Sequence, residues 1–142
     1  MSRTSQALAS ALSGLPGALG ELSRDELWTS LTSWRTAFAS EVLESTGNQV
    51  YKGYEWHAFS HGFSQAISGE NALEEYRTRI EAEFIILSGR SKDPFGYRFT
   101  GSLPDFSLRR WDLIVTTSAL HWSMAFTHEP HCGPYFQQRN LP

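Results

Sequence analysis

Four of the five histidines fall in two short segments. His57 and His61 stand in Trp56-His57-Ala58-Phe59-Ser60-His61, and His128 and His131 in Thr127-His128-Glu129-Pro130-His131-Cys132. Imidazole changes charge near neutral pH, so such segments suit proton transfer or metal ligation. The second segment holds two imidazoles, a thiol and a carboxylate, the donor types that zinc takes. His128, His131 and Cys132 are therefore the candidate metal ligands. Their spacing follows no recognised zinc pattern, and the adjacent pair His131-Cys132 rarely reaches one ion. The plainer reading has His128 hydrogen-bonded, His131 solvated and no metal or other cofactor.

The same residues could do acid–base chemistry. His128 or His57 paired with Glu129 would make a general base, and Ser60 or Cys132 could supply a nucleophile. No Gly-x-Ser-x-Gly elbow frames a serine and no glycine-rich phosphate loop occurs. His57, His128 and Glu129 thus define the alternative reading, a histidine-based or metal-dependent hydrolase, while binding without catalysis is favoured. A small-ligand-binding domain is the third possibility.

These residues need elements to position them. Ser23-Arg24-Asp25-Glu26 has the form of a capping box, and Leu27, Leu31, Trp34, Phe38 and Val42 then step by three or four. That pattern predicts a helix over about 24–46, ended by Gly47-Asn48. Tyr51 to Ser60 reads as a strand. Ser68-Gly69-Glu70 opens a second helix with Leu73, Tyr76 and Ile80 on its buried face and Glu74, Glu75, Arg77 and Glu81 opposite. Phe84-Ile85-Ile86-Leu87 is favoured as a buried strand. Phe95, Tyr97 and Phe99 alternate as a strand, 101–110 is a loop, and Trp111–Thr117 and Trp122–Glu129 form an antiparallel hairpin. Trp111, Trp122, Phe126, Tyr135 and Phe136 are expected mostly in the core.

The chain has 142 residues, so one domain with its own core is expected. Residues 1–22 read as a flexible or short-helical segment, because Pro16 and the glycines interrupt the leucines. Residues 23–142 read as a single α+β domain, an antiparallel sheet packed against two main helices. A net charge of −3 argues against a nucleic-acid surface. No apolar run reaches the ~20 residues that span a bilayer, so no membrane partner is expected. One cysteine suits a reducing compartment, and a cytoplasmic location is expected.

Three segments together resemble a family of small bacterial proteins carried as a domain of unknown function. They are Tyr54-Glu55-Trp56-His57-Ala58-Phe59-Ser60, Ser68–Tyr76, and Trp122–Glu129 leading to Gly133-Pro134-Tyr135-Phe136. The family shows Trp-His-x-Phe-Ser, Gly-Glu-x-Ala and Thr-His-Glu followed by Gly-Pro-Tyr-Phe. Here Ser123 stands where a Thr is usual. The resemblance spans about residues 24–136 and implies no established activity. Small acidic α+β proteins of polymorphic-toxin systems are similar in style, which implies an immunity-type protein that binds a basic partner such as a toxin domain. The shared motifs also imply clustering. His57, Thr127, His128 and Glu129 would meet at one end of the sheet, with Tyr135 folded back over them as a polar lock or a pocket, and Trp56 and Ser60 complete the candidate binding residues.

Overall fold

The structure is a computed structural model, and it describes residues 3–39, 66–90, 93–129 and 133–139. Helix α1 spans Arg3–Ser13, α2 Arg24–Phe38 and α3 Gly69–Arg77. The strands are β1 Ala18–Glu21, β2 Ile67–Ser68, β3 Glu83–Ser88, β4 Gly96–Thr100, β5 Leu113–Thr116, β6 Trp122–Phe126 and β7 Tyr135–Gln138.

The capping box forms at the start of α2. Ser23 Oγ accepts the Glu26 N–H at 3.2 Å, and the Glu26 carboxylate accepts the Ser23 N–H at 3.1 Å, so two backbone donors left over at the helix start are satisfied. Leu31, Trp34 and Phe38 then face inward. The helix ends at Phe38, short of the expected 46. Ala39 leaves the helical region at ψ 1° while its N–H still caps onto Arg35 O.

All seven strands join one sheet in the order β1-β4-β3-β5-β6-β7-β2, and every pairing is antiparallel. The molecule is a single α+β domain. Its two sheet faces follow from strand alternation. Phe84, Ile86, Tyr97, Phe99, Leu113, Val115, Trp122, Met124 and Phe126 pack under α1 and α3, which contribute Leu8, Leu12, Leu73 and Tyr76. Ile85, Leu87, Ile114 and Ala125 point to the other face, beneath Leu31, Trp34 and Phe38 of α2. Covered on both sides, β3, β5 and β6 are buried almost throughout, and continuous apolar runs such as Phe84–Leu87 and Leu113–Val115 are the sequence form of that environment.

Two polar pairs are sealed between the layers. Trp34 Nε1 donates to Ser123 Oγ at 2.8 Å, tying α2 to β6, and Thr116 Oγ1 donates to Trp122 O at 2.7 Å across the hairpin. Indole N–H groups taken out of water need such acceptors.

The leucine-rich start of the chain is part of this structure. Leu8 and Leu12 are buried by α1, and after the turn at 14–17 the chain becomes edge strand β1, which pairs with β4. Pro16 and the glycines read as an interruption, and the edge strand that follows them, Ala18–Glu21, was not expected. Ile80 also departs from expectation. α3 ends at Arg77 with Thr78 as its cap, so Ile80 falls outside the last turn and is 95% exposed instead of buried. The predicted strand at 51–60 and helix end at 47–48 lie outside the described residues.

Candidate functional site

The β5–β6 ladder ends at Leu113↔Phe126, and the residues just beyond it carry the polar cluster. Asp112, 7% exposed, is its centre. Its carboxylate accepts the His128 backbone N–H at 3.0 Å and faces His128 Nδ1 at 2.8 and 3.1 Å. A carboxylate can only accept, so Nδ1 carries the proton of this contact, and Nε2 is the ring nitrogen turned away from Asp112. Nε2 lies 3.5 Å from Glu129 Oε1, and Thr127 Oγ1 donates to Glu129 O at 3.0 Å. Behind the carboxylate, Asp112 O accepts the Gly89 N–H at 2.8 Å. A Cβ on Gly89 would come within 2.8 Å of the Asp112 carbonyl carbon, so only glycine allows β3 to approach this closely.

The β4–β5 loop, residues 101–112, arches from this cluster towards α3. Its anchors are specific. Tyr76 Oη donates to Pro104 O at 2.6 Å, Arg77 Nη2 pairs with Asp105 Oδ2 at 2.8 Å, and Asp105 Oδ1 accepts the Ser107 N–H at 2.8 Å. Phe106 inserts edge-on against Phe126 with centroids 5.4 Å apart and packs against Trp111. Burial, with the Asp105 charge beside it, pushes the Tyr76 hydroxyl well above its usual range, so it acts as a fixed donor. Burial tends to raise Asp105, but hydrogen bonds from Ser107 and Arg77 outweigh it and hold its carboxyl below the usual range.

The loop separates two clefts on the α1/α3 side of the sheet. One, of about 280 Å³, is lined by Phe106, Leu108, Arg109, Arg110, His128 and Glu129. The other, of about 480 Å³, is lined by Tyr76, Arg79, Ile80, Leu103 and Asp105 among others. Leu108 at the loop tip is 98% exposed. The Arg109 guanidinium stacks 4.9 Å above the Trp111 ring and Arg79 sits 4.9 Å above Phe136, both at cation–π distance. The α3 flank is negative: Asp105 first, then Glu70 and Glu74, raise the Arg77 guanidinium.

Thr127, His128 and Glu129 therefore stand together, with Asp112 as the partner that positions the imidazole. Tyr135 pairs with Ala125 in the sheet and packs with the α2-side core, its ring and the Thr127 methyl both border Gly133, and Gly133 and Pro134 line the His128 cleft. Trp56, His57, Ser60, His131 and Cys132 lie outside the described residues. Among the described residues no group of three or more His, Cys, Asp or Glu side chains could hold a metal ion, and no helix is long and apolar enough to cross a membrane. Asp112 was missed in the sequence. Its signal was present, an acid placed directly before the apolar run Leu113-Ile114-Val115, where a strand end tucks a short carboxylate against its neighbour.

Residues 25–136 match the model of a domain of unknown function, DUF4275, and the chain belongs to that family. Neither the curated proteins nor the solved structures contain a significant match.

Proposed function

We propose that this chain is a protein-binding module of the kind that neutralises a toxin partner, and that it meets the partner with the β4–β5 loop and the end of α3. The observation that carries the reading is the pair Ile80 and Leu108, 95% and 98% exposed, one on each of the two clefts that the same loop divides. Single exposed aliphatics are ordinary, but two that flank adjoining clefts with charged rims form the apolar centre and polar edge of a contact surface. Burying each against a partner is favourable by roughly 1.5–3 kcal/mol.

Charge sets the partner's character. On the α3 side Glu75 is paired with Arg79 and Asp105 with Arg77, whereas Glu70 and Glu74 make no ion pair among the described residues. That flank suits a basic partner, and Arg109 and Arg110 on the opposite flank would fix its orientation. The test is affinity capture from native cells with the wild-type chain and with the double variant Ile80→Asp, Leu108→Asp. A basic protein captured by the wild type and lost in the variant, with an unchanged Tm, supports the reading. Equal capture by both, or no basic protein captured by the wild type, rejects it.

A second reading rests on the His128–Asp112 pair. A carboxylate on Nδ1 and a ring edge at a cleft is the arrangement of a general base, and Ser107 lines the same cleft. Hydrolysis of an ester substrate by the purified protein, abolished in His128→Ala, would favour it. Turnover equal in the two proteins would remove it.

A further inference from the structure

On the opposite side of the sheet from the two clefts, α2 and the β5–β6 turn enclose a groove of about 390 Å³. We propose that this groove is a binding site for a neutral polyhydroxylated ligand, a mono- or disaccharide, distinct from the protein-contact surface. Its size falls in the ~300–1,000 Å³ range of small-molecule sites.

The helix wall is made of hydroxyls. The α2 segment Trp28-Thr29-Ser30-Leu31-Thr32-Ser33-Trp34 places Thr29, Ser30 and Ser33 on the groove. Serine and threonine are poor choices inside a helix, because their side chains compete for backbone hydrogen bonds. Thr36 illustrates the usual outcome, its Oγ1 donating back to Thr32 O at 2.9 Å. Thr29, Ser30 and Ser33 make no such bond among the described residues, so their hydroxyls are available both to donate and to accept. Across the groove stand Thr116, Thr117 and Ser118. Thr116, 1% exposed, spends its Oγ1 proton on Trp122 O within the sheet, so Thr117 Oγ1, 3.4 Å from the His121 nitrogen, and Ser118 supply the acceptors on this wall. The floor is apolar, formed by Ile85 and Leu120, and suits the C–H face of a sugar ring.

Charge at the groove's end selects against an anion. Arg98 is the basic residue in the lining, and it is engaged by Glu26 at 2.7 Å and Glu83 at 2.8 Å. Asp25 and Glu26 leave the lining with one net negative charge against Arg98. These carboxylates are acceptors for ligand hydroxyls, as the Ser and Thr oxygens are. A phosphate or carboxylate ligand would meet that net charge without a free guanidinium. A neutral polyol matches every polar group present, and burying polar groups without such matches is costly.

The experiment is amide chemical-shift mapping with the intact chain, titrated separately with glucose, maltose, sucrose and glucose 6-phosphate. The expected result is saturable shifts confined to residues 29–33 and 116–120 with at least one neutral sugar, and none there with glucose 6-phosphate. Ser33→Gln, an exposed change that fills the groove, should weaken the binding by about tenfold or more. Thr29→Val, which removes a hydroxyl at equal volume, should weaken it less. No saturable shift in those segments with any of the neutral sugars overturns the proposal. So do tighter binding of the phosphate sugar and wild-type affinity in Ser33→Gln.

Discussion

Asp112 is the residue on which the candidate site turns. One short carboxylate holds both the backbone and the ring of His128, and its own carbonyl is held by Gly89. Removing it strips an acceptor from two N–H groups in a mostly buried place. Asp112→Ala should therefore cost about 2–3 kcal/mol in a urea titration. Gly89→Ala should cost roughly 1–3 kcal/mol by pushing the Asp112 backbone away, although the new methyl meets neither the carboxylate nor the His128 ring. If Gly89→Ala is neutral while Asp112→Ala is not, the close approach of β3 is not what fixes the carboxylate. His128 was legible in the sequence as a chemistry-bearing residue beside Glu129. Its true partner was not, because Asp112 lies sixteen positions away and only the strand pairing brings them together.

At the scale of elements, the capping box was readable from four residues, since each of its bonds is local. Its reach is longer than the sequence suggests. Glu26 also accepts from Arg98 Nη2 at 2.7 Å, so the start of α2 is fastened to β4, and Arg98 continues to Glu83 of β3. The hydrogen bonds from Arg98 and then Ser23 hold the Glu26 carboxyl at about 2, against an ordinary value of 4.5. A carboxyl depressed in the folded state contributes stability that is complete above about 4.5 and is lost as pH falls towards about 2. Glu26→Gln should accordingly flatten the acid side of the stability curve across that interval relative to wild type, leaving the dependence that Asp105 contributes. Parallel curves for the two proteins between pH 4.5 and 2 would contradict the assignment.

The sheet elements were legible where burial imposes a two-residue or continuous apolar pattern, as in β3, β4 and the β5–β6 hairpin. Boundaries set by tertiary contact were not. Pro16 and the glycines marked 14–20 as a break after a short helix, so edge strand β1, which holds Leu19, was not read. Helical spacing from Leu73 and Tyr76 placed Ile80 on a buried face, although the α3 cap comes before it.

The whole molecule is a sheet covered on both faces, and that arrangement separates two kinds of surface. The α1/α3 side carries the arched loop, the exposed pair Ile80 and Leu108, and opposed charged flanks. The α2 side carries the hydroxyl groove. A partner that docks on the first side leaves the second open. Charge reversal by Glu70→Lys with Glu74→Lys should slow association with a basic partner and weaken its salt dependence, with little effect on dissociation. A lowered off-rate stability with an unchanged on-rate would place these acids inside the contact instead of at its rim.

The central claim is that residues 101–110 and 76–81 form one contact surface. Hydrogen–deuterium exchange on the captured complex reads this directly. Protection gained in both segments, with the α2 segment 24–38 unchanged, is the predicted result. Protection confined to α2 or to the edge strands β1 and β2, with the loop exchanging as in the free chain, would contradict it.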